Sequence, residues 1–537
     1  MESIKTTVNG WNIMESIKTA VSSWNIMESI KTTVDGWSIN MDVLYSPSSW
    51  PIRPLSLVAM IIPTYLILLS IYRLYFHPLA KFPGPKLPAL TGLYEFYYEC
   101  ILGGRYFEEI LRMHEQYGPI VRIRPDELHV NDPDWNEPFK ISSRVSKWHW
   151  YYRAFGSSQA SFGTVDHELH RIRRSPQNPY FTVAEVQKFE PEIEHIVGIL
   201  CSRLEEAKKT GEPVNISNAT KSLATDVVTE FAFHKSYNLL SEPDFAAGNH
   251  NMTRTFALVA TWHRHFGFIL QLFEAMPRWF VALTDPSAVA MLDFFDDIEN
   301  QTKALIAKHK GHTGKDIAAD IVQQMLDSDM PEVEKNTKHL MLEVRTIVAA
   351  GTETSGNTLS VTIFHLVANP EKALRLKEEL LEAQKKNHGV PLTYQELLQL
   401  PYLNAVVSEG LRISTSGAGR HPRINPRSAM TYKSWTIPAG TPVSLTQKFI
   451  HENPTIFPNP RSFSPERWVN AADRKRLEKY LTPFGRGSRV CVGMNLANAE
   501  MYLALARIFA SFDLGLYETN REDDIDQYHD FIKDFKL

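Results

Sequence analysis

Apolar positions along this chain fall into three patterns. From Leu55 to Tyr72 runs an uncharged, nearly continuous apolar stretch, which with its extension through Tyr75 is long enough to cross a bilayer. Pro63 interrupts it, a residue that membrane helices tolerate better than soluble ones. Helical periodicity fills 187–209, 289–310, 340–367 and 371–386, with Asn369-Pro370 closing the long third segment. Short strand patterns make up the rest. Ile120–Ile123 and Leu128–Val130 flank a Pro125-Asp126 turn and predict a hairpin; Tyr432–Ile437 and Thr441–Leu445, joined through Pro438-Ala439-Gly440, predict a second. The expected fold is mainly α with small β-sheets (α+β), preceded by one transmembrane helix.

Polar flanks give that span an orientation. Arg73, Lys81 and Lys86 follow it and only Arg53 lies close before it, so the positive-inside rule puts the large C-terminal body in the cytosol and the short N-terminus in the lumen. Residues 1–39 are three near-copies of a thirteen-residue unit, Met1–Ile13, Met14–Ile26 and Met27–Ile39, each opening Met-Glu-Ser-Ile-Lys-Thr. Three short units with little apolar content cannot stack into a core. They read as a tandem duplication or a choice of start among Met1, Met14, Met27 and Met41. The predicted organisation is repeats over 1–40, a membrane anchor over 41–75 (transmembrane about 55–75) and one catalytic body over 76–537, because no low-complexity linker divides the last.

Charge and cysteine content narrow the functions. A net charge of −4 with 22% charged residues leaves no basic footprint for nucleic acid. Three cysteines, Cys100, Cys201 and Cys491, are too few for a disulfide scaffold and fit a reducing compartment. Cys100 and Cys201 read as packing residues. Cys491 differs, because it sits in Phe484-Gly485-Arg486-Gly487-Ser488-Arg489-Val490-Cys491-Val492-Gly493, a glycine-rich loop just ahead of a helical run. A thiolate there is a candidate iron ligand: glycines let the backbone fold tightly and aim amide N–H groups at the sulfur.

Three further motifs stand upstream. Ala349-Ala350-Gly351-Thr352-Glu353-Thr354-Ser355 lies inside the long apolar helix, where a glycine among hydroxyl side chains is expected to divert backbone hydrogen bonds and open a local bulge. Glu409-Gly410-Leu411-Arg412 puts a carboxylate and a guanidinium on one helix face at i, i+3, and Phe463-Ser464-Pro465-Glu466-Arg467-Trp468 follows it. On a shorter helix His170 and Arg174 share a face at i, i+4; Arg171 and Arg173 read as a solvated face.

In this order and spacing the motifs resemble those of the cytochromes P450, over nearly everything from residue 76 to the C-terminus. The loop matches Phe-x-x-Gly-x-Arg-x-Cys-x-Gly at every fixed position. The resemblance implies heme b with its iron ligated by the Cys491 thiolate, Phe484 in the ligand loop, and propionate contacts from Arg489, His170 and Arg174, although the family often has tryptophan where His170 stands. It implies proton delivery by Glu353 and hydrogen bonding by Thr354 as the catalytic pair, and a structural ion network of Glu409, Arg412 and Arg467. It further implies O2, an apolar small-molecule substrate, electrons from NADPH-cytochrome P450 reductase, and a single-pass protein of the endoplasmic reticulum membrane. No flavin or nicotinamide fingerprint occurs in the chain itself.

Tyr72–Leu79, the Lys81–Pro85 hinge and His170–Arg174 resemble membrane-bound fungal secondary-metabolism members, trichodiene oxygenase-like enzymes among them. That implies hydroxylation or epoxidation of a terpenoid, with a polyketide or polyketide-amino acid hybrid as the rival substrate. A redox-neutral haem-thiolate isomerase or dehydratase is the alternative class; such enzymes commonly lack the acid-threonine pair, which is intact here. Trp148–Phe155 is positioned like the family's loop over the haem, where its rings bound an apolar pocket or else pack on neighbouring helices. Ser416-Gly417-Ala418 corresponds to another lining segment.

Overall fold

A computed structural model describes residues 54–284, 286–310, 320–414 and 419–526; the repeats and the Ser416–Ala418 segment lie outside them. The first helix, α1 (Pro54–Ile71), carries Pro63 inside it and passes into a short π-helical turn at Tyr72–Phe76. Its side chains are exposed at Met60, Ile61, Leu66 and Leu68, and it is the one helix among the described residues long and apolar enough to cross a membrane.

The body is built around α8 (Thr337–Val367), a 31-residue helix that is buried along most of its length. Ahead of it come α2 (Tyr106–Tyr117), α3 (His167–Arg174), α4 (Glu190–Thr210), α5 (Ile216–Phe233), α6 (Ala247–His265) and α7 (Pro286–Lys310). After it come α9 (Pro370–Lys386), α10 (Pro401–Ser414) and α11 (Met494–Ser511). The four periodic segments are thus helices within a few residues of the expected bounds, and Pro370 opens α9 directly after the long helix stops. Small residues set the close approaches to α8: a Cβ on Gly351 would meet Val228 of α5 at 2.8 Å, and one on Gly356 would meet the Lys221 backbone at 2.7 Å. These contacts join the main core, in which Val227, Val344, Leu359, Leu403 and Leu505 are fully buried.

Strands form two small sheets. β1 (Ile120–Arg122) and β2 (Leu128–Val130) pair as the expected hairpin, Ile120 opposite Val130. The five-stranded sheet has the order β1-β2-β7-β4-β3, with β3 at Ser146–Lys147, β4 at Arg423–Ile424 and β7 at Pro442–Ser444. The second hairpin differs from expectation. β6 (Trp435–Ile437) pairs with β5 (Met430–Tyr432), not with the strand after it. Lys433 adopts φ 49° and closes that turn, whereas Gly440 at φ 80° carries the chain across to the larger sheet, where β7 lies parallel to β2.

His129 of β2 is buried against His114 of α2, Nδ1 and Nε2 2.7 Å apart, and reaches the Thr446 hydroxyl at 3.0 Å. Burial lowers His114 to about 4 and His129 well below its ordinary range. Both are therefore neutral in the folded chain near pH 5, while the unfolded chain protonates them below about pH 6.5. Stability is unaffected above that pH and falls as pH drops toward 4, by about 1.4 kcal/mol per pH unit per histidine. Urea titrations between pH 7.5 and 5 are expected to show this loss, with a shallower slope in His114→Gln, in the order of one proton less.

Candidate active site

Cys491 lies in the loop ahead of α11. Gly485 and Gly487 both take φ 73°, and a Cβ on Gly487 would meet the Phe139 carbonyl oxygen at 2.4 Å, so the loop needs glycine there. Within the turn the Cys491 N–H donates to the Phe484 carbonyl at 2.9 Å, and Phe484 packs on the main core. The thiol is accessible, although protein closely surrounds it. That burial pushes its pKa up, while the Gly493 N–H and the charge of Arg174 favour the thiolate. An accessible surface deep in the fold belongs to an interior space.

The same kind of surface occurs on α8. Ala349, Ala350 and Thr354 are exposed in the middle of a helix whose neighbouring turns are buried. Thr354 donates its hydroxyl to the Ala350 carbonyl at 2.8 Å, and Thr346, Thr352, Thr358 and Thr362 make the same bond one turn back. The expected bulge is not present as a separate segment. The hydroxyls share carbonyls of an unbroken α-helix, an arrangement that bends without interrupting it. Glu353 turns instead toward α5 and pairs with Lys221, whose Nζ lies 3.1 Å away.

Cations gather around the cysteine loop. Arg489 donates to the carbonyls of Thr164, Val165 and Asp166 at 2.7, 3.1 and 3.1 Å, and its Nε is buried without a partner. His170 is buried beside it; burial, Arg489, Lys147 and Arg174 lower its pKa to about 2. Arg423 donates to the Tyr152 hydroxyl at 2.5 Å, and Lys147 to the Phe162 carbonyl. Burial and the nearby arginines press Arg489 down to about 9 and Lys147 well below its usual value. No ion pair to a carboxylate joins Lys147, His170, Arg174, Arg423 or Arg489 among the described residues. Such a group is poised for a dianion.

A sequence model supplies the context: the Cytochrome P450 family matches residues 83–534. The chain belongs to the cytochrome P450 family. It is 37% identical over 498 residues to the cytochrome P450 monooxygenase MO6277 of Ascocoryne sarcoides, covering 89% of this chain and 96% of that protein. It is 36% identical over 467 residues to the tryptophan 6-hydroxylase fscE of Fusarium equiseti, covering 86% and 91%. Over 472 residues it is 37% identical to the cytochrome P450 monooxygenase TRI4 of Fusarium sporotrichioides, covering 87% and 89%. This P450 is accordingly a monooxygenase of the fungal secondary-metabolism kind, whose family binds a cysteine-ligated haem and uses O2, a redox partner and a small organic substrate.

The residues of this P450 suit that cofactor: an accessible thiol with an N–H aimed at it, and a cation cluster with an orphaned Nε for two propionates. Sequence reading reached Arg489, His170 and Arg174 but missed Lys147 and Arg423, which β3 and β4 bring in side by side. Arg173 needs correction. It does not face solvent but pairs with Glu334 at 2.7 Å and donates to Thr164 at 2.9 Å, because α3 packs this face inward; Arg171 is exposed as expected.

Glu409 is fully buried and holds Arg412 through a bidentate pair at 2.9 and 2.8 Å. Arg467 reaches it at 3.2 Å, and the Trp468 indole and the Ser464 N–H add bonds at 2.8 and 2.9 Å. Arg412 also donates to the His451 carbonyl, and the His451 ring accepts from the Thr482 N–H at 3.0 Å, two residues before Phe484. The network thus ends at the cysteine loop.

The aromatic segment before α3 packs on charge. Arg124 lies 3.8 Å from the Trp150 ring centroid and Arg264 4.1 Å from that of Tyr151. Arg124, Arg264 and Arg420 are themselves buried with Glu95, Glu99 and Glu127, Arg420 donating to Glu127 at 2.8 Å and to Glu95 at 2.5 Å. Tyr151 and Tyr152 are buried, which favours the packing reading of this segment.

Proposed function

We propose that this P450 hydroxylates or epoxidises an apolar terpenoid intermediate of fungal natural-product biosynthesis. The Cys491 thiolate would hold the iron of heme b, electrons would come from NADPH-cytochrome P450 reductase, and α1 would anchor the chain in the endoplasmic reticulum membrane. The observation that carries the oxygen-inserting assignment is the pairing of an accessible Cys491 thiol with an accessible Thr354 face inside an otherwise buried helical core. The bound haem thiolate supplies the redox chemistry that splits dioxygen. The chain's own residues do the rest. Arg174, Arg423, Arg489 and Lys147 hold the propionates, His170 packs beside them as a neutral ring, and the apolar walls around Ala349 and Ala350 exclude water and orient the substrate. Glu353 moves protons inward and Thr354 hydrogen-bonds at the reacting oxygen. Glu409, Arg412 and Arg467 hold the cysteine loop in place.

Thr354→Ala is expected to fold normally, bind substrate normally and divert electrons from product to released hydrogen peroxide. The ratio of product to NADPH consumed should drop by about tenfold or more. Substrate class is tested by titrating the purified haem protein with terpene, polyketide and indole panels and following the low-to-high-spin shift in absorption. A saturable shift with terpenes alone supports the terpenoid reading. The likeness to a tryptophan 6-hydroxylase favours an indole as the second reading, and a shift confined to that panel would replace the first.

A further inference from the structure

α8 carries two acids, Glu343 and Glu353, and the proposed reaction uses the second. Glu343 stands eleven residues before Thr354, about three turns along the helix, which puts it on nearly the same face. Its carboxylate is 1% exposed and meets the loop that leads into α3. There the Ser161 N–H donates to one oxygen and the Ser161 hydroxyl to the other, each at 2.6 Å, and Gln177 donates to that hydroxyl at 3.2 Å. His339, one turn back, places Nε2 3.3 Å from the carboxylate and turns its other ring nitrogen to Glu334. Burying an ionised carboxylate is costly, and a neutral acceptor would serve to hold a serine. The charge itself calls for an explanation.

The loop that Glu343 grips is a rail for cations. It is wound tightly on itself: the Thr164 N–H and hydroxyl both donate to the Ala160 carbonyl, at 3.0 and 2.7 Å, and a Cβ on Gly163 would meet the Ser157 carbonyl oxygen at 2.0 Å. Its carbonyls then face the cation cluster. Phe162 accepts from the Lys147 ammonium, Val165 from the Lys147 N–H at 3.0 Å, and Thr164, Val165 and Asp166 from Arg489. A loop displaced at Ser161 would carry those acceptors with it. The charge of Glu343 reaches the cluster as well, for burial lowers the Arg174 pKa while the charges of Cys491 and Glu343 act against that. We propose that Glu343 is a positioning residue for the haem. Through Ser161 it fixes the carbonyls that aim Lys147 and Arg489, and its negative charge offsets the positive field of the cluster. The inference rests on the reading that these cations hold the propionates.

The test follows haem release from the holoenzyme to excess apomyoglobin, the midpoint potential of the haem and the urea midpoint. Glu343→Gln removes the charge, and its amide accepts on one oxygen, so one Ser161 donor loses its acceptor. Haem release is expected to rise by about tenfold or more. The potential should move to more positive values, because a negative charge no longer opposes electron uptake by the iron. Glu343→Asp keeps the charge on a shorter arm and should release haem faster at an unchanged potential. A merely structural role predicts instead that release tracks the urea midpoint and that the potential stays fixed in both variants. That result, or parent-like release in Glu343→Gln, would overturn the proposal. If Glu343→Gln does not fold, Glu343→Asp decides, and parent-like release there would overturn it equally. Arg489→Leu controls the underlying reading. Unchanged release in that variant would reject the propionate assignment and the role of Glu343 with it, whereas faster release there beside parent-like Glu343→Gln rejects Glu343 alone.

Discussion

Cys491→Ser is expected to give a folded protein without a thiolate-ligated haem and with monooxygenase activity below about a thousandth of the parent, a barrier increase above about 4 kcal/mol. Folding should survive, because the side chain is accessible and the loop is held by the Cys491 N–H on the Phe484 carbonyl, by glycine φ angles and by the Phe484 ring, none of which the exchange touches. Ligation should not survive. A serine hydroxyl ionises far less readily than a thiol and is a poorer ligand for iron; burial pushes the Cys491 pKa up, and the Gly493 N–H and the Arg174 charge, which favour the thiolate, offset part of that. The check is the carbon monoxide difference spectrum of the reduced protein, alongside circular dichroism. A thiolate-type band in the serine protein would sink the assignment of Cys491 as the ligand. Any haem still captured through the Lys147, Arg423 and Arg489 cluster should show the spectrum of a non-thiolate complex.

Legibility in the sequence followed the range of the interactions. The helices of 187–209, 289–310, 340–367 and 371–386 were visible because their apolar periods are local, and the cysteine loop because its glycines and Arg489 sit within ten residues. The hairpin at Met430–Ile437 was not, because its turn rests on Lys433 in a left-handed conformation that lysine does not advertise. Lys147 and Arg423 escaped for another reason. They meet only because β3 and β4 pair across more than half of the body, and neither strand of two residues has a period to read. The buried cluster of Glu95, Glu99, Glu127, Arg124, Arg264 and Arg420 is of the same kind, its members drawn from four distant segments. A charge in a sequence signals solvent until a partner far along the chain is known.

Glu409→Gln is expected to be the most damaging single change outside the haem ligand itself, lowering stability by about 3–5 kcal/mol. The carboxylate takes five hydrogen bonds, two from Arg412, one from Arg467, one from the Trp468 indole and one from the Ser464 N–H. An amide accepts on one oxygen only and turns a donor toward these donors, so the Arg412 guanidinium would remain buried without its counter-charge. The damage should travel. Arg412 holds the His451 carbonyl and His451 holds the Thr482 N–H, and from Thr482 the chain enters the cysteine loop. Loss of haem from the purified protein should therefore accompany the loss of stability, read as a lower haem-to-protein ratio and a lower urea midpoint. Arg467→Ala, which removes a partly exposed partner and leaves the Glu409–Arg412 pair intact, should cost less and retain more haem. A Glu409→Gln protein that kept full haem and an unchanged midpoint would mean that the network does not support the loop.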